Sequence, residues 1–177
     1  MGAERLQVTT TSSARGFIKL DKSLNQQIKQ LLQQRNISFQ QWQHSDAVDC
    51  YQSAALRGTP LHLGGKSLLF KSRRGFSMFV ISAAYRINSN RVRKILQQQK
   101  VRFANEQELK ELAGVSKGAL PPFGGRFIDC ELFIDETIYA NQEIVFTCGS
   151  LTESISMQVS DYLALVEGTR VDCCHPL

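Results

Sequence analysis

Residues 65–85, GKSLLFKSRRGFSMFVISAAY, constrain the fold more than any other stretch. Arg73-Arg74-Gly75 reads as a hairpin turn between two strands, SLLFK and FSMFVISAAY. The second strand is apolar at almost every position, so neither of its faces can be left to water. Successive side chains on a strand point to opposite faces. A hairpin that is apolar on both faces therefore belongs at the centre of a sheet, with further layers on each side. A chain of 177 residues with 42% hydrophobic content can supply those layers from one domain.

The flanking segments show where the layers come from. In SLNQQIKQLLQQR (23–35), Leu24, Ile28, Leu31 and Leu32 recur at helical spacing; Ser23 can cap the helix and Asn36 can end it. Residues 46–56 read as a second helix, capped by Asp46 with Asp49 at the reciprocal position of a capping box. Asn88-Ser89 can cap a third, expected over 89–100, that buries Val92, Ile95 and Leu96. Asn105 and Glu108 frame a fourth, EQELKELA, stopped by Gly114. Short strands are expected in ISFQQWQH, VRFA, RFIDCELFID, EIVFTCGS and SISMQVS, the last running into a short helix that Asp161 can cap. Helix and strand alternate too irregularly for a doubly wound sheet. The expected fold is α+β, a central mixed or antiparallel sheet with surrounding helices.

Net charge is +5, and its placement says more than its size. From Arg57 to Arg102 there are eleven lysines and arginines and no acid, whereas residues 106–177 hold twelve acids against four basic residues. This asymmetry favours a polyanionic partner; the plainer alternative is a solvated face balanced in space by the acidic third. No long amphipathic helix carries the charge, which argues against an anionic membrane surface. No apolar run approaches the length of a membrane span, and the first residues lack the apolar centre of a secretory signal. The five cysteines are odd in number and include no CxxC, so free thiols and a cytoplasmic setting are expected. Cys173-Cys174-His175 offers soft ligands, but adjacent cysteines are poorly placed to close a tetrahedral site. No metal or cofactor is expected, and the segment reads as a loose tail.

Two stretches can carry chemistry. Gly118-Ala-Leu-Pro-Pro-Phe-Gly124 has glycines at both ends and two prolines inside. Such a loop can fix backbone groups with little reorganisation, as a site that positions water or stabilises an oxyanion requires; on local sequence alone it also reads as a plain rigid turn. Lys66 sits where the Gly64-Gly65 turn becomes the strand, at a place from which an amine can reach a cleft or simply face water. Lys71, at the other end of the strand, is its natural control and is expected to face solvent. Gly65-Lys66-Ser67 is not a phosphate loop, because Pro60 stands where the first glycine is needed and a strand follows. His62 can border the same cleft as Lys66, while His44 reads as structural. Gly149-Ser150 follows an apolar strand, where glycine permits close approach and Ser150 can donate a hydrogen bond.

Taken together, Gly65-Lys66-Ser-Leu-Leu, Gly118…Pro122-Phe-Gly124, and Gly149-Ser150 with Ile155-x-Met157-x-x-x-Asp161 resemble the aminoacyl-tRNA deacylase family of YbaK-type proteins and the editing domain of bacterial prolyl-tRNA synthetases. The likeness covers residues 22–167, leaving 1–21 as an N-terminal tail and 168–177 as a C-terminal tail. It implies that domain's fold, no cofactor, and hydrolysis of the ester joining an amino acid to the 3′ end of a mischarged tRNA. The amino acid would be small, such as Cys, Ala, Ser or Pro. The family's lysine falls on Lys66 and its GxxxP loop on Gly118 and Pro122, which makes these the catalytic candidates. His62, Gly124, Gly149 and Ser150 are the substrate-binding candidates. Arg73, Arg74, Arg91, Arg93 and Lys94 would engage the acceptor stem. An aminoacyl-tRNA synthetase is a second expected partner, and a non-catalytic tRNA- or synthetase-binding module is the alternative reading. Ala119, Pro121 and Leu151-Thr-Glu depart from the family pattern and bear on which amino acid is removed.

Overall fold

The computed structural model describes residues 23–47 and 49–177. The N-terminal tail expected at 1–21 lies outside these residues. The fold is α+β, as expected, with a mixed five-stranded sheet, a three-stranded antiparallel sheet and surrounding helices.

The hairpin organises the larger sheet. Strands β2 (Gly65–Ser72) and β3 (Gly75–Ser82) pair antiparallel from Gly65↔Ser82 to Ser72↔Gly75. Gly75 closes the turn at φ +125°, a backbone region that a side chain disfavours. Met78, Phe79, Val80 and Ile81 are each 0% exposed, so both faces of β3 are covered. Met78 and Val80 face the main core; Phe79 and Ile81 face a second cluster with Phe70, Val92 and Leu96. Burying a side chain of this size contributes about 1.5–3 kcal/mol. Next to β2 lies β5 (Arg102–Phe103), antiparallel; β6 (Glu131–Asp135) pairs parallel to β3, and β9 (Thr169–Val171) parallel to β6. The second sheet runs β1 (Phe39–Gln43), β8 (Glu153–Gln158), β7 (Glu143–Thr147).

Helices cover both faces. α1 (Leu24–Gln34) starts with a capping box between Ser23 and Gln26 and buries Ile28, Leu31 and Leu32. α4 (Glu106–Ala113) has the expected Asn105–Glu108 box and ends at Gly114, φ +68°. α2 (Cys50–Arg57) begins later than its sequence suggests: Asp49, not Asp46, is the cap, accepting from the Gln52 N–H at 2.8 Å. α3 (Ser89–Leu96) is capped by Asn88 and stops short of residue 100, because Gln97 turns left-handed at φ +51°. A short α5 (Glu136–Tyr139) follows β6, and α6 (Val159–Leu165) starts at Gln158 with no side-chain cap. Asp161 lies inside its first turn and is not the cap. FSMFVISAAY is broken after Ser82, and Tyr85–Ile87 forms a separate strand, β4. Among the described residues no helix is long and apolar enough to cross a membrane.

The end of the chain corrects the expected loose tail. Residues 168–177 supply β9 and also β10 (Cys174–Pro176), which pairs antiparallel with β4. Asp135 holds this segment in place. Its carboxylate, 1% exposed, accepts from the Cys173 N–H at 2.7 Å, the Cys174 thiol at 3.0 Å, and the Thr137 N–H and hydroxyl at 2.9 and 2.7 Å. Burial alone would push its carboxyl up; the donors outweigh burial and hold it below its ordinary value. Asp135 therefore stabilises the fold above the unfolded carboxyl pKa of about 3.9, and this is lost as pH falls through the depressed folded value. Asp135→Asn turns an amide donor toward groups that donate. It is expected to cost about 1–3 kcal/mol at pH 7 and to flatten the acid limb of stability, as read by urea melts between pH 7 and pH 2.

Candidate active site

The two sheets meet where Gly64 bridges Val145 of β7. The approach is close: a Cβ on Gly65 would lie 2.6 Å from Ile144 Cδ1. Gly65 thus faces the main core, and Lys66, one residue on, faces the opposite side. There its Nζ donates to the Tyr85 carbonyl at 2.8 Å. On β7 the same alternation sends Ile144 and Phe146 into the core and turns Val145 and Thr147 to the Lys66 side. Ser154 and Ser156 of β8 pair with Thr147 and Val145, and both serines are buried.

A row of polar groups crosses this surface. Ser154 Oγ accepts from Arg57 Nη1 at 3.0 Å and lies 2.8 Å from His44 Nε2. Arg57 Nε also reaches Thr59 Oγ1 at 3.4 Å. Cys50, at the other end of α2, is within electrostatic reach of both Lys66 and Arg57. Thr147 donates its hydroxyl to the Gly118 carbonyl at 2.8 Å. The row therefore runs from Arg57 through Ser154 to Thr147 and Gly118, with Lys66 within electrostatic reach of Cys50 at the start of the same helix as Arg57.

Gly118 is the exposed member of the 118–124 loop, while 119–124 are buried. Ala119, Leu120 and Phe123 anchor the loop in the main core. Three of its other carbonyls are engaged: Ala119 O accepts from the Gly149 N–H at 3.0 Å, Pro121 O from the Phe123 N–H at 2.9 Å, and Pro122 O from the Tyr162 hydroxyl at 2.7 Å. Gly118, at φ +88°, thus presents its carbonyl from a rigid mount. Pro122 and Gly124 belong to that mount; a Cβ on Gly124 would stand 3.1 Å from Cys130 Sγ.

The electrostatics follow from burial. Burial lowers the Lys66 amine below its ordinary pKa, with Arg86 adding to the effect and the Cys50 and Cys174 thiols opposing it. Burial likewise lowers Arg57 and raises Cys50, whose shift Lys66 and Arg57 partly offset.

A comparison with known families now bears on this arrangement. The model of the aminoacyl-tRNA editing domain matches residues 44–165, more than half of the chain. The chain belongs to the aminoacyl-tRNA editing domain family. The resemblance to YbaK-type proteins and to the prolyl-tRNA synthetase editing domain therefore holds. The chain is similar to the multifunctional Ser/Thr-tRNA deacylase ProXp-y of Escherichia coli K12, 26% identical over 153 residues covering 84% of this chain and 91% of that protein. It matches the same-named protein of Escherichia coli O157:H7 to the same extent. Among solved structures, one described as a candidate trans-editing enzyme for prolyl tRNA synthetase superposes with a TM-score of 0.75 at 20% identity, covering 87% of this chain and 98% of that one. A structure from work on grafting linear epitopes onto scaffold proteins gives 0.74 at 18% identity, covering 85% and 97%. These two likenesses show the fold.

Within this editing domain the other candidates are scattered. His62 is exposed, and it is its carbonyl that is engaged, by Ser82 Oγ and Asn141 Nδ2, each at 2.8 Å. Ser150 Oγ lies 2.9 Å from Thr152 Oγ1 and accepts from the Thr152 N–H. Arg73 and Arg74 are exposed at the hairpin tip, roughly 20 Å along β2 from Lys66 at the usual strand rise. Lys71 is half-buried, with Nζ 3.8 Å from the Phe76 ring centroid, and is not fully turned to water. Arg91 pairs with Asp172 and donates to the Cys174 carbonyl at 3.2 Å, so it ties down β10. Arg93 donates to Asn90 at 2.7 Å and, like Lys94, is exposed.

Sequence reasoning missed Cys50, Arg57, Thr147 and Ser154 as site residues. One signal was present: Ser154 and Ser156 alternate with the apolar Ile155 and Met157. Buried hydroxyls at that period need partners, and the partners come from distant segments.

Gly149 holds the loop. It sits at φ +74°, where a Cβ would meet the Asn25 backbone nitrogen at 3.2 Å. Gly149→Ala is expected to cost about 1–2 kcal/mol in a urea melt, and to raise amide exchange at the Ala119–Gly149 contact before it affects the hairpin.

Proposed function

We propose that this chain hydrolyses the aminoacyl ester of mischarged tRNA, acting in trans as an editing deacylase. The observation that carries the reading is that the Lys66 amine and the Gly118 carbonyl face the same side of the joined sheets. In the reaction, water attacks the ester carbonyl and a new C–O bond forms. The bond to the tRNA 3′ oxygen breaks, and that oxygen takes up a proton. The products are the free amino acid and an uncharged 3′ end.

Gly118 O keeps one lone pair while Thr147 occupies the other, so it can accept from the attacking water or from the substrate's ammonium group. Because the loop is already clamped, it reorganises little as charge develops. Lys66 lies where it can hold an anionic or carbonyl oxygen of the bound end. The basic segment supplies approach and phosphate contacts through Arg73, Arg74, Arg93 and Lys94, and a synthetase is a second partner of the complex. The substrate amino acid is small, such as Cys, Ala, Ser or Pro. The name of the Escherichia coli relatives puts serine and threonine first among those to test.

The test is a panel of tRNAs charged with serine, threonine, alanine, proline and cysteine, with release followed against buffer. At least one is expected to be deacylated by the wild-type protein, and Lys66→Ala is expected to lower kcat/KM by about 10²-fold or more. A protein that binds charged tRNA yet releases nothing across the panel is the non-catalytic module. Replacing Arg73 and Arg74 with alanine is expected to weaken tRNA binding and to reduce the slope of log K against log salt by about 1 per residue. An unchanged slope removes the hairpin tip from the tRNA contact.

A further inference from the structure

Trp42 is the chain's single tryptophan. It lies on β1 directly opposite Ser154 of β8, which in turn lies opposite Thr147 of β7. Residues paired across antiparallel strands share a face. Trp42, Ser154 and Thr147 therefore form one line across the three-stranded sheet. The main core takes the other face, through Phe39, Ile155 and Met157. Trp42 thus stands on the site face, next to the His44 ring that reaches Ser154 Oγ at 2.8 Å.

The indole is only half-buried and packs against neither hydrophobic cluster. Among the described residues its Nε1–H donates to no acceptor, and no aromatic ring or cation lies on its faces. A partly buried tryptophan ordinarily engages its N–H. A large ring that serves neither core nor hydrogen-bond network presents a flat apolar face to whatever enters the site. Position decides what suits that face. Thr147, which holds the Gly118 carbonyl, is two strands from Trp42, about 10 Å at the usual strand spacing. With an ester carbonyl bound at Gly118, the side chain of a small amino acid ends within a couple of bonds of that end and does not reach the indole. The ribose on the other side of the ester carries its base at its far edge, in the direction of Trp42. An unpaired base has its π faces free, and stacking on an aromatic ring needs no reading of the base's edges.

We propose that Trp42 is a stacking platform for a purine base, that of the terminal adenosine. This rests on the deacylase reading for the identity of the base. Trp42 touches the substrate and takes no part in proton transfer. The base is stacked equally before and during ester cleavage, so the platform acts on KM and leaves kcat unchanged.

The single tryptophan supplies the readout, because a base stacked on the indole quenches its emission. The full chain is titrated with adenosine, ribose and serinamide. Emission is followed in the wild type, and calorimetry measures binding in the wild type, Trp42→Phe, Trp42→Leu and Trp42→Ala. Adenosine is expected to quench the wild type saturably, and ribose and serinamide are expected not to. Trp42→Ala is expected to bind adenosine about 5- to 150-fold more weakly, Trp42→Leu nearly as weakly, and Trp42→Phe to keep most of the affinity. Adenosine that binds without quenching, or that fails to bind up to about 10 mM, overturns the proposal. So does quenching by serinamide in place of adenosine, which makes Trp42 a wall of the amino-acid pocket. Trp42→Leu binding as tightly as Trp42→Phe also overturns it, because an apolar cover then suffices. If Trp42→Ala does not melt natively, Trp42→Phe and Trp42→Leu decide. A protein that adenosine quenches but that deacylates no charged tRNA keeps the platform and loses the deacylase reading. A deacylase whose KM is unchanged by Trp42→Leu keeps the reaction and loses the platform, so the two fail separately.

Discussion

The close approach of the Gly64–Gly65 backbone to β7 is the constraint on which the candidate site depends. A Cβ on Gly64 would lie 2.9 Å from Ala83 Cβ, and one on Gly65 would lie 2.6 Å from Ile144 Cδ1. Only backbone without side chains lets the start of β2 bridge Val145. That bridge brings the edge of the mixed sheet against the antiparallel one, and strand alternation then does the rest. With Gly65 turned to the core, Lys66 must face out on the side that also carries Thr147 and Ser154. A side chain at either glycine would separate the amine from the polar row before any catalytic group was touched.

The second requirement is a rigid mount for the Gly118 carbonyl. The loop's apolar side chains lie in the main core, and its inner carbonyls accept from Gly149, Phe123 and Tyr162. Tyr162 is 0% exposed and packs edge-on to Phe123, with ring centroids 5.8 Å apart. One hydroxyl thus links the last helix to the loop. On the opposite flank, Asp135 ties Cys173 and Cys174 to the end of β6. The C-terminal strand pairs with β4, whose Tyr85 carbonyl holds Lys66. Lys66 and the Gly118 end of the polar row are therefore held by contacts made well away from them.

Local signals in the sequence were read reliably where local chemistry decides the structure. The caps at Ser23, Asn88 and Asn105 each satisfy nearby N–H groups, and the Arg73-Arg74 hairpin is set by its own two strands. Reading failed where two local solutions compete or where the partner is remote. Asp46 and Asp49 can both start a helix, and the chain uses Asp49. Gln97 adopts a left-handed backbone that no glycine announces. GTRVDCCHPL has little pattern of its own and becomes strand only by pairing with β6 and β4. The Lys66 and Gly118 positions were legible through family resemblance. The groups between them were not, because His44, Cys50, Arg57, Thr147 and Ser154 come from four separate elements and meet only in the folded chain.

The most direct test of the account is where a bound aminoacyl end sits. A non-hydrolysable analogue, adenosine bearing the amino acid through a 3′ amide, can be titrated into labelled protein and followed by NMR. The account requires perturbations at Gly118, Thr147, Arg57 and the Lys66 amine together, saturating with one affinity. Perturbations confined to the groove along Glu106, Lys110 and Val115, with Gly118 and Lys66 unmoved, would contradict it.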